Sequence, residues 1–285
     1  MFELEYCDDP KKGEIKSSGI TFDNSIAMKY EKACKIFENY MYLIDRFNII
    51  QSCADDLLSV NTMDKDYWKV NKALLNYVNA VYSFKEMADC CALSIKSVTE
   101  KYYQRCQWYR FVCDFRNSVI HESVISTDYD KEEAYIILNT LIDILNRKKV
   151  KPNQEDNRKR QIIYLEAMKE KAKYHKGVYY YGIKRICKDV SLEIEDMKKK
   201  VINYALEENV MPELEWLFSI IYKHNGEYMY SFIIDKENGI ESVCEPNYIL
   251  ENFFIKLKES LGEDSEVFRN VKNLFELKKY DHFFG

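Results

Sequence analysis

Breakers are scarce in this sequence: eight glycines and four prolines in 285 residues. Glycine and proline punctuate chains, so their scarcity points to a helix-dominated fold. No uninterrupted apolar run is long enough to cross a bilayer. The opening Met-Phe-Glu-Leu-Glu-Tyr-Cys-Asp-Asp has no basic region followed by an apolar one, so no signal peptide is expected. Nine cysteines are present, an odd number, and none form a Cys-x-x-Cys pair. That gives neither a zinc pattern nor a disulfide framework, and the expected compartment is the reducing cytosol. Cys106 and Cys113 lie in helical runs and read as core or half-buried thiols. The net charge is −5, so overall charge would not coat a nucleic acid, although a local basic site stays open. There is no phosphate loop, no Gly-x-Ser-x-Gly elbow, no His-Glu-x-x-His and no internal repeat. No metal and no cofactor are expected.

Apolar residues make up 47% of the chain, enough for a real core, and the length suits one large domain or two modest ones. Residues 1–24 read as an irregular arm with a short extended piece. Ser25 is the expected cap of a first helix, with Ile26, Tyr30, Ala33, Phe37, Tyr40, Ile44 and Phe47 on one face to about Leu58. A second helix starts near Asp66 with Val70, Leu74, Tyr77, Val78, Val81, Phe84 and Ala88 inward. Asn71, Asn76, Asn79, Ser83 and Glu86 lie off that stripe. A third helix is expected unbroken from about Val98 to His121. A fourth, from Glu132 to about Lys149, follows an Asp130/Glu133 capping box and stops before Pro152.

The expected class is mainly α. An antiparallel helical bundle over 25–152 precedes a smaller α+β region over 153–285. In that second region a helix runs to about His175, and the tyrosines Tyr179 to Tyr181 follow Gly177. Ser191 is the expected cap of the next helix. The β-branched and aromatic run Leu214 to Tyr222 leads into Asn225-Gly226, the dipeptide that best tolerates positive φ and so marks a hairpin. Tyr228, Tyr230, Phe232 and Ile234 alternate as a strand would. A short strand is expected over Ile240 to Val243, a helix from Pro246, and a last helix over about Asp264 to Lys279.

Function is concentrated at Asp114-Phe-Arg-Asn-Ser-Val-Ile-His-Glu122. Trp108, Phe111, Val112, Phe115 and Val119 recur at helical spacing and would bury one side of a helix. Arg116, Asn117 and His121 fall on the other side. Asn117 and His121 are four apart and stack along one face, and the long Arg116 side chain reaches the same point. Arginine offers a planar fork of donors matched to phosphate. Histidine gives or takes a proton near neutral pH. Asparagine fixes an imidazole tautomer or bonds a phosphate oxygen. The set suits phosphodiester chemistry. The plain alternative is a surface histidine at a helix end and a solvated arginine. Lys101, Arg105 and Arg110 interleave with Tyr102, Tyr103, Trp108 and Tyr109, and Arg105 and Arg110 are candidate RNA-binding residues. His175, among lysines, is given no role.

Arg116-Asn-Ser-Val-Ile-His121 resembles the Arg-x(4–6)-His signature of the HEPN superfamily, including the polar residue that often follows its arginine. The run Leu74 to Glu86 resembles the family's second long helix, and Tyr109 to Asn117 resembles the helix that delivers the motif. The resemblance covers about residues 25 to 150 and leaves 153–285 uncovered.

The resemblance implies a HEPN-like bundle and a metal-independent endoribonuclease. The ribose 2′-OH attacks the adjacent phosphate, giving a 2′,3′-cyclic phosphate and a 5′-OH end. His121 acts as general base or acid, Arg116 binds the phosphate, and Asn117 orients either one. It further implies a homodimer that sets two motifs face to face, a toxin or phage-defence role, and in some members a separate antitoxin. In the family Ser83 or Glu86 would approach His121, while the residues alone read Glu86 as a solvated charge. Two other readings stay open. One is a non-catalytic module that binds RNA, nucleotide or protein. The other is a dimerisation platform for the second half, which predicts a large apolar pocket or patch within 153–285.

Overall fold

The computed structural model describes residues 1–9, 11–60, 67–121, 125–126, 134–147, 152 and 155–277. The chain is mainly helical, with small antiparallel sheets. It divides into two compact units. One comprises Met1–Asp45, Cys91–Ser94 and Ile202–Gly285, the other Arg46–Cys90 and Ile95–Val201. A boundary between 152 and 153 does not coincide with this division, because residues 1–45 cluster with 202–285. The change of unit falls inside the first helix, α1 (Ser25–Ser59).

The first unit is built on a four-stranded sheet. Strands β1 (Phe2–Cys7) and β2 (Ile15–Phe22) form a hairpin. β1 also pairs with β9 (Tyr230–Asp235), and β9 with β10 (Ile240–Cys244), giving the order β10-β9-β1-β2. The expected irregular arm is therefore two strands of a sheet. Its alternation was legible in Phe2-Glu-Leu-Glu: Phe2 and Leu4 are buried, and Leu4 lies opposite Ile233. Glu3 and Glu5 instead meet Lys236.

Helices α9 (Pro246–Leu261) and α10 (Glu266–Leu277) pack together, and α9 also packs against β9. Their core is aromatic. Phe37 of α1 stacks on Phe253 at 4.7 Å, and Phe254 lies 4.8 Å from Phe268 and 5.2 Å from Phe275.

The run Leu214 to Tyr222 is not a strand. Most of it belongs to α8 (Met211–Ile220), which continues a π-helical turn, Leu206–Val210. Pro212 sits in the first turn of α8, where its fixed φ suits a helix. Leu214, Leu217 and Phe218 are buried at helical spacing. The strands begin only after it, as β7 (Lys223–His224) and β8 (Glu227–Tyr228). Asn225 (φ 50°) and Gly226 (φ 91°) turn between them as expected.

The second unit holds α2 (Tyr67–Cys90), α3 (Lys96–Arg105), α4 (Gln107–His121), α5 (Leu138–Arg147), α6 (Glu155–Lys169) and all but the last turn of α7 (Ile183–Ala205). A second sheet has β3 (Ile125–Ser126), β4 (Tyr135–Ile137), β6 (Val178–Gly182) and β5 (Lys173–His175) in that order.

Four expectations change here. The third helix is broken at Cys106, whose backbone is extended. Residues 135–137 pair with β6 instead of opening α5. The helix expected to reach His175 stops at Lys169, and β5 follows. Ser191 lies inside α7, where its hydroxyl is 3.4 Å from Tyr77 Oη. The Asp130/Glu133 box and Lys279 lie outside the described residues. At the start of α1, the Asp23 carboxylate accepts the Ser25 N–H (2.8 Å), so Asp23 takes the capping role expected of Ser25.

Candidate functional site

α4 is amphipathic, as the spacing predicts. Tyr109, Phe111, Val112, Cys113 and Phe115 are buried. Phe111 stacks on Phe115 at 4.9 Å, and Trp108 meets Phe111 edge-on at 6.3 Å. α4 packs against α2, α3 and α6.

Its N-terminus is fixed from a distance in sequence. The Glu193 carboxylate of α7 accepts the Tyr109 N–H at 2.7 Å. This satisfies a donor that the first helical turn cannot, and places a negative charge at the positive end of the helix. Burial pushes Glu193 above the ordinary carboxylate range, while backbone donors of Tyr109, Trp108 and Gln107 pull it back.

Arg116 lies half-buried on α4 and faces α2. Its Nε donates to Asn79 Oδ1 at 3.3 Å, and its guanidinium lies 4.3 Å from the centre of the Tyr82 ring. Asn79 and Tyr82 are three residues apart on α2 and so share a face. One orients the plane of the guanidinium and the other covers it. Both are neutral. Among the described residues no carboxylate pairs with Arg116, so its charge is not cancelled by an ion pair there. Asn79 stood off the apolar stripe in the sequence with no role attached. Tyr82 gave no signal beyond its spacing from Asn79.

The backbone of α4 is helical through His121, which sets Asn117 and His121 one turn apart. The side chains of Asn117 and His121 lie outside the described residues, as does that of Val119. On α2, Ser83 is half-buried and Glu86 is exposed, as the plain reading of Glu86 expects.

The other two candidates are not gathered at Arg116. Arg110 precedes it by six residues, about 120° round the helix. The Arg110 guanidinium sits 5.1 Å from the Tyr164 ring of α6, and its Nε is buried without a hydrogen-bond partner among the described residues. Arg105 is exposed at the end of α3, on the far side of the break.

Asp114 is 8% exposed. Burial raises its pKa, and the hydrogen bond from Tyr103 Oη to Oδ1 (2.5 Å) works against that rise. Gln161 of α6 donates to the Asp114 carbonyl at 3.0 Å. Burial pushes the neighbouring Cys113 thiol up to about 12, so it stays protonated and is no nucleophile at neutral pH.

Among the described residues no group of three or more His, Cys, Asp or Glu side chains could hold a metal ion, and no helix is long and apolar enough to cross a membrane. The first unit carries a cavity of about 530 Å³ between α1 and α9. Phe37, Met41 and Phe253 share its wall with Glu38, Lys256 and Glu259, so it is not the apolar pocket of the platform reading. No family model, no curated protein and no solved structure matches this chain.

Proposed function

We propose that this chain is a HEPN-type endoribonuclease that needs no metal and acts as a homodimer. One observation carries the reading. Arg116 is a permanent cation held in place by neutral Asn79 and Tyr82, with no carboxylate paired to it among the described residues. A site of that kind keeps its charge for an incoming anion, and a planar fork matches a phosphate oxygen pair.

The bundle of the family corresponds in this reading to α2, α4 and their neighbours. His121 takes the proton of the ribose 2′-OH, or gives one to the leaving oxygen. The 2′-oxygen bonds to phosphorus and the P–O5′ bond breaks. The products are a 2′,3′-cyclic phosphate and a 5′-OH end. Arg116 offsets the charge that grows on the phosphoryl oxygens, and Asn117 orients His121 or one of those oxygens. One imidazole serves one of the two oxygens, so a second copy across a two-fold axis supplies the other. A role as toxin or phage-defence factor, with a separate antitoxin, belongs to the same proposal.

The test uses an RNA that the protein cuts and the same RNA with one 2′-deoxy nucleotide at the cut position. Cleavage lost at that position alone supports 2′-OH attack. Cleavage persisting there shows that another nucleophile acts, and the proposal fails.

A further inference from the structure

A second basic and aromatic surface lies in the same unit. Between Lys169 and Arg185 the sequence carries six lysines and arginines against one glutamate, in a chain whose net charge is −5. The β5–β6 hairpin presents much of that charge. Its turn is Lys176-Gly177, with both residues at positive φ. Lys171, Lys173, His175 and Lys176 are exposed.

Two rings sit among these charges. Tyr174 and Tyr179 are paired across the strands, so they share a face, and their centroids are 4.9 Å apart. Tyr174 is 61% exposed. Lys169 of α6 reaches over the Tyr179 ring at 5.3 Å. β5 is an edge strand, and edge lysines also keep sheets from pairing with one another. That accounts for Lys173, the lysine of β5 itself, whose ammonium also donates to Tyr135 Oη at 2.7 Å. It does not account for Tyr174, an exposed aromatic on the same edge, which would invite the association the lysines discourage.

We propose that the β5–β6 hairpin, with Tyr174 as its stacking residue and the exposed Lys171 and Lys176 flanking it in the chain, is a binding platform for single-stranded RNA. Lys173 points to the other face, where its ammonium meets Tyr135 Oη. A flat exposed ring stacks on any base, and surrounding ammonium groups hold the backbone without reading sequence. An acidic peptide would use the lysines but leave the ring idle. The platform is linked through α6 to Arg110 of α4, the candidate RNA-binding residue that lies apart from Arg116. Arg110 of α4 lies on Tyr164 of α6, and Lys169 lies about 7.5 Å further along α6, over Tyr179. The choice of RNA rests on the ribonuclease reading, and it deepens that reading by giving the substrate a place to lie outside the motif.

The test measures binding of a fluorescent oligouridylate of about 12 nucleotides with 2′-O-methyl groups throughout, which 2′-OH attack cannot cut. The full chain is compared with Tyr174→Ala, Tyr174→Phe and the double variant Lys171→Ala/Lys176→Ala. The expected result is about ten-fold weaker binding for Tyr174→Ala and near-native binding for Tyr174→Phe. For the double variant the slope of log affinity against log salt should fall by about 1.4.

Absence of binding by the wild type, or equal binding by Tyr174→Ala, overturns the platform. So does polyglutamate binding as tightly with the same dependence on Tyr174, because the partner is then an acidic protein. The two proposals fail separately. Tyr174-dependent binding without any cleavage of all-RNA substrates refutes the nuclease and leaves the platform. Cleavage with Tyr174-independent binding does the reverse.

Discussion

Arg116 is positioned by an amide and a ring, and each constrains it differently. Asn79 engages Nε and leaves the outer nitrogens of the fork to other partners, while Tyr82 limits the guanidinium to one plane. A lysine ammonium keeps the charge but has neither plane nor fork. Arg116→Lys should therefore lower kcat by about 10²- to 10³-fold, the usual cost of losing a donor to a developing oxyanion. Its thermal melt should stay close to wild type. Steady-state kinetics beside a melt checks this, and native kcat in Arg116→Lys would remove Arg116 from the mechanism.

Asp114 yields a prediction about pH. Its folded-state pKa is raised by burial, so the folded protein holds that proton more tightly than the unfolded chain does. The stability it contributes is complete below the unfolded value, about 4, and is lost as pH rises through the raised folded value. Asp114→Asn removes this titration. The melting temperature of the variant relative to wild type should rise between about pH 4 and about pH 7. A difference that is flat or falls over that window would contradict the account.

At the scale of elements, α4 is delivered by an interaction that local sequence does not display. Nothing in Gln104-Arg-Cys-Gln107 breaks a helix by itself, so a continuous helix was the expectation. The structure breaks it at Cys106, and Glu193, 84 residues away from Tyr109, takes up the freed donor. Glu193→Ala should cost about 1 kcal/mol in chemical denaturation, the usual worth of a cap. It should also lower cleavage, since α4 carries Arg116. The apolar face of α4 was readable from its spacing, and so was the Asn225-Gly226 turn, because both are local rules. α8 is a different case. Its β-branched and aromatic composition suits a strand, but Leu214, Leu217 and Phe218 recur at helical spacing and Pro212 suits a first helical turn, and these were the better guide. Strand β5 was hidden because it is three residues long, starts only three residues beyond α6 and gains its pairing only from Val178 to Tyr180.

Across the whole molecule, the two units interleave in sequence, and no linker signal could reveal that. β1 lies between β2 and β9, joining strands more than 200 residues apart. Composition made residues 1–24 look like an arm, since their partners are so remote. Deleting residues 1–24 should expose the edge of β9, lower the melting temperature and increase light scattering on heating. A truncated chain that melts and scatters like the full one would contradict the sheet order. The motif itself was legible as residues, whereas the groups that hold Arg116 were not, because Asn79 and Tyr82 reach it only through the packing of α2 on α4.

The central claim concerns RNA cleavage by His121 and Arg116 without a metal. It is tested most directly by incubating wild type and His121→Ala with total RNA in EDTA and analysing the new ends. The account predicts 2′,3′-cyclic phosphate and 5′-OH ends with wild type and none with His121→Ala. Equal cleavage by both proteins, or 5′-phosphate ends, would contradict it.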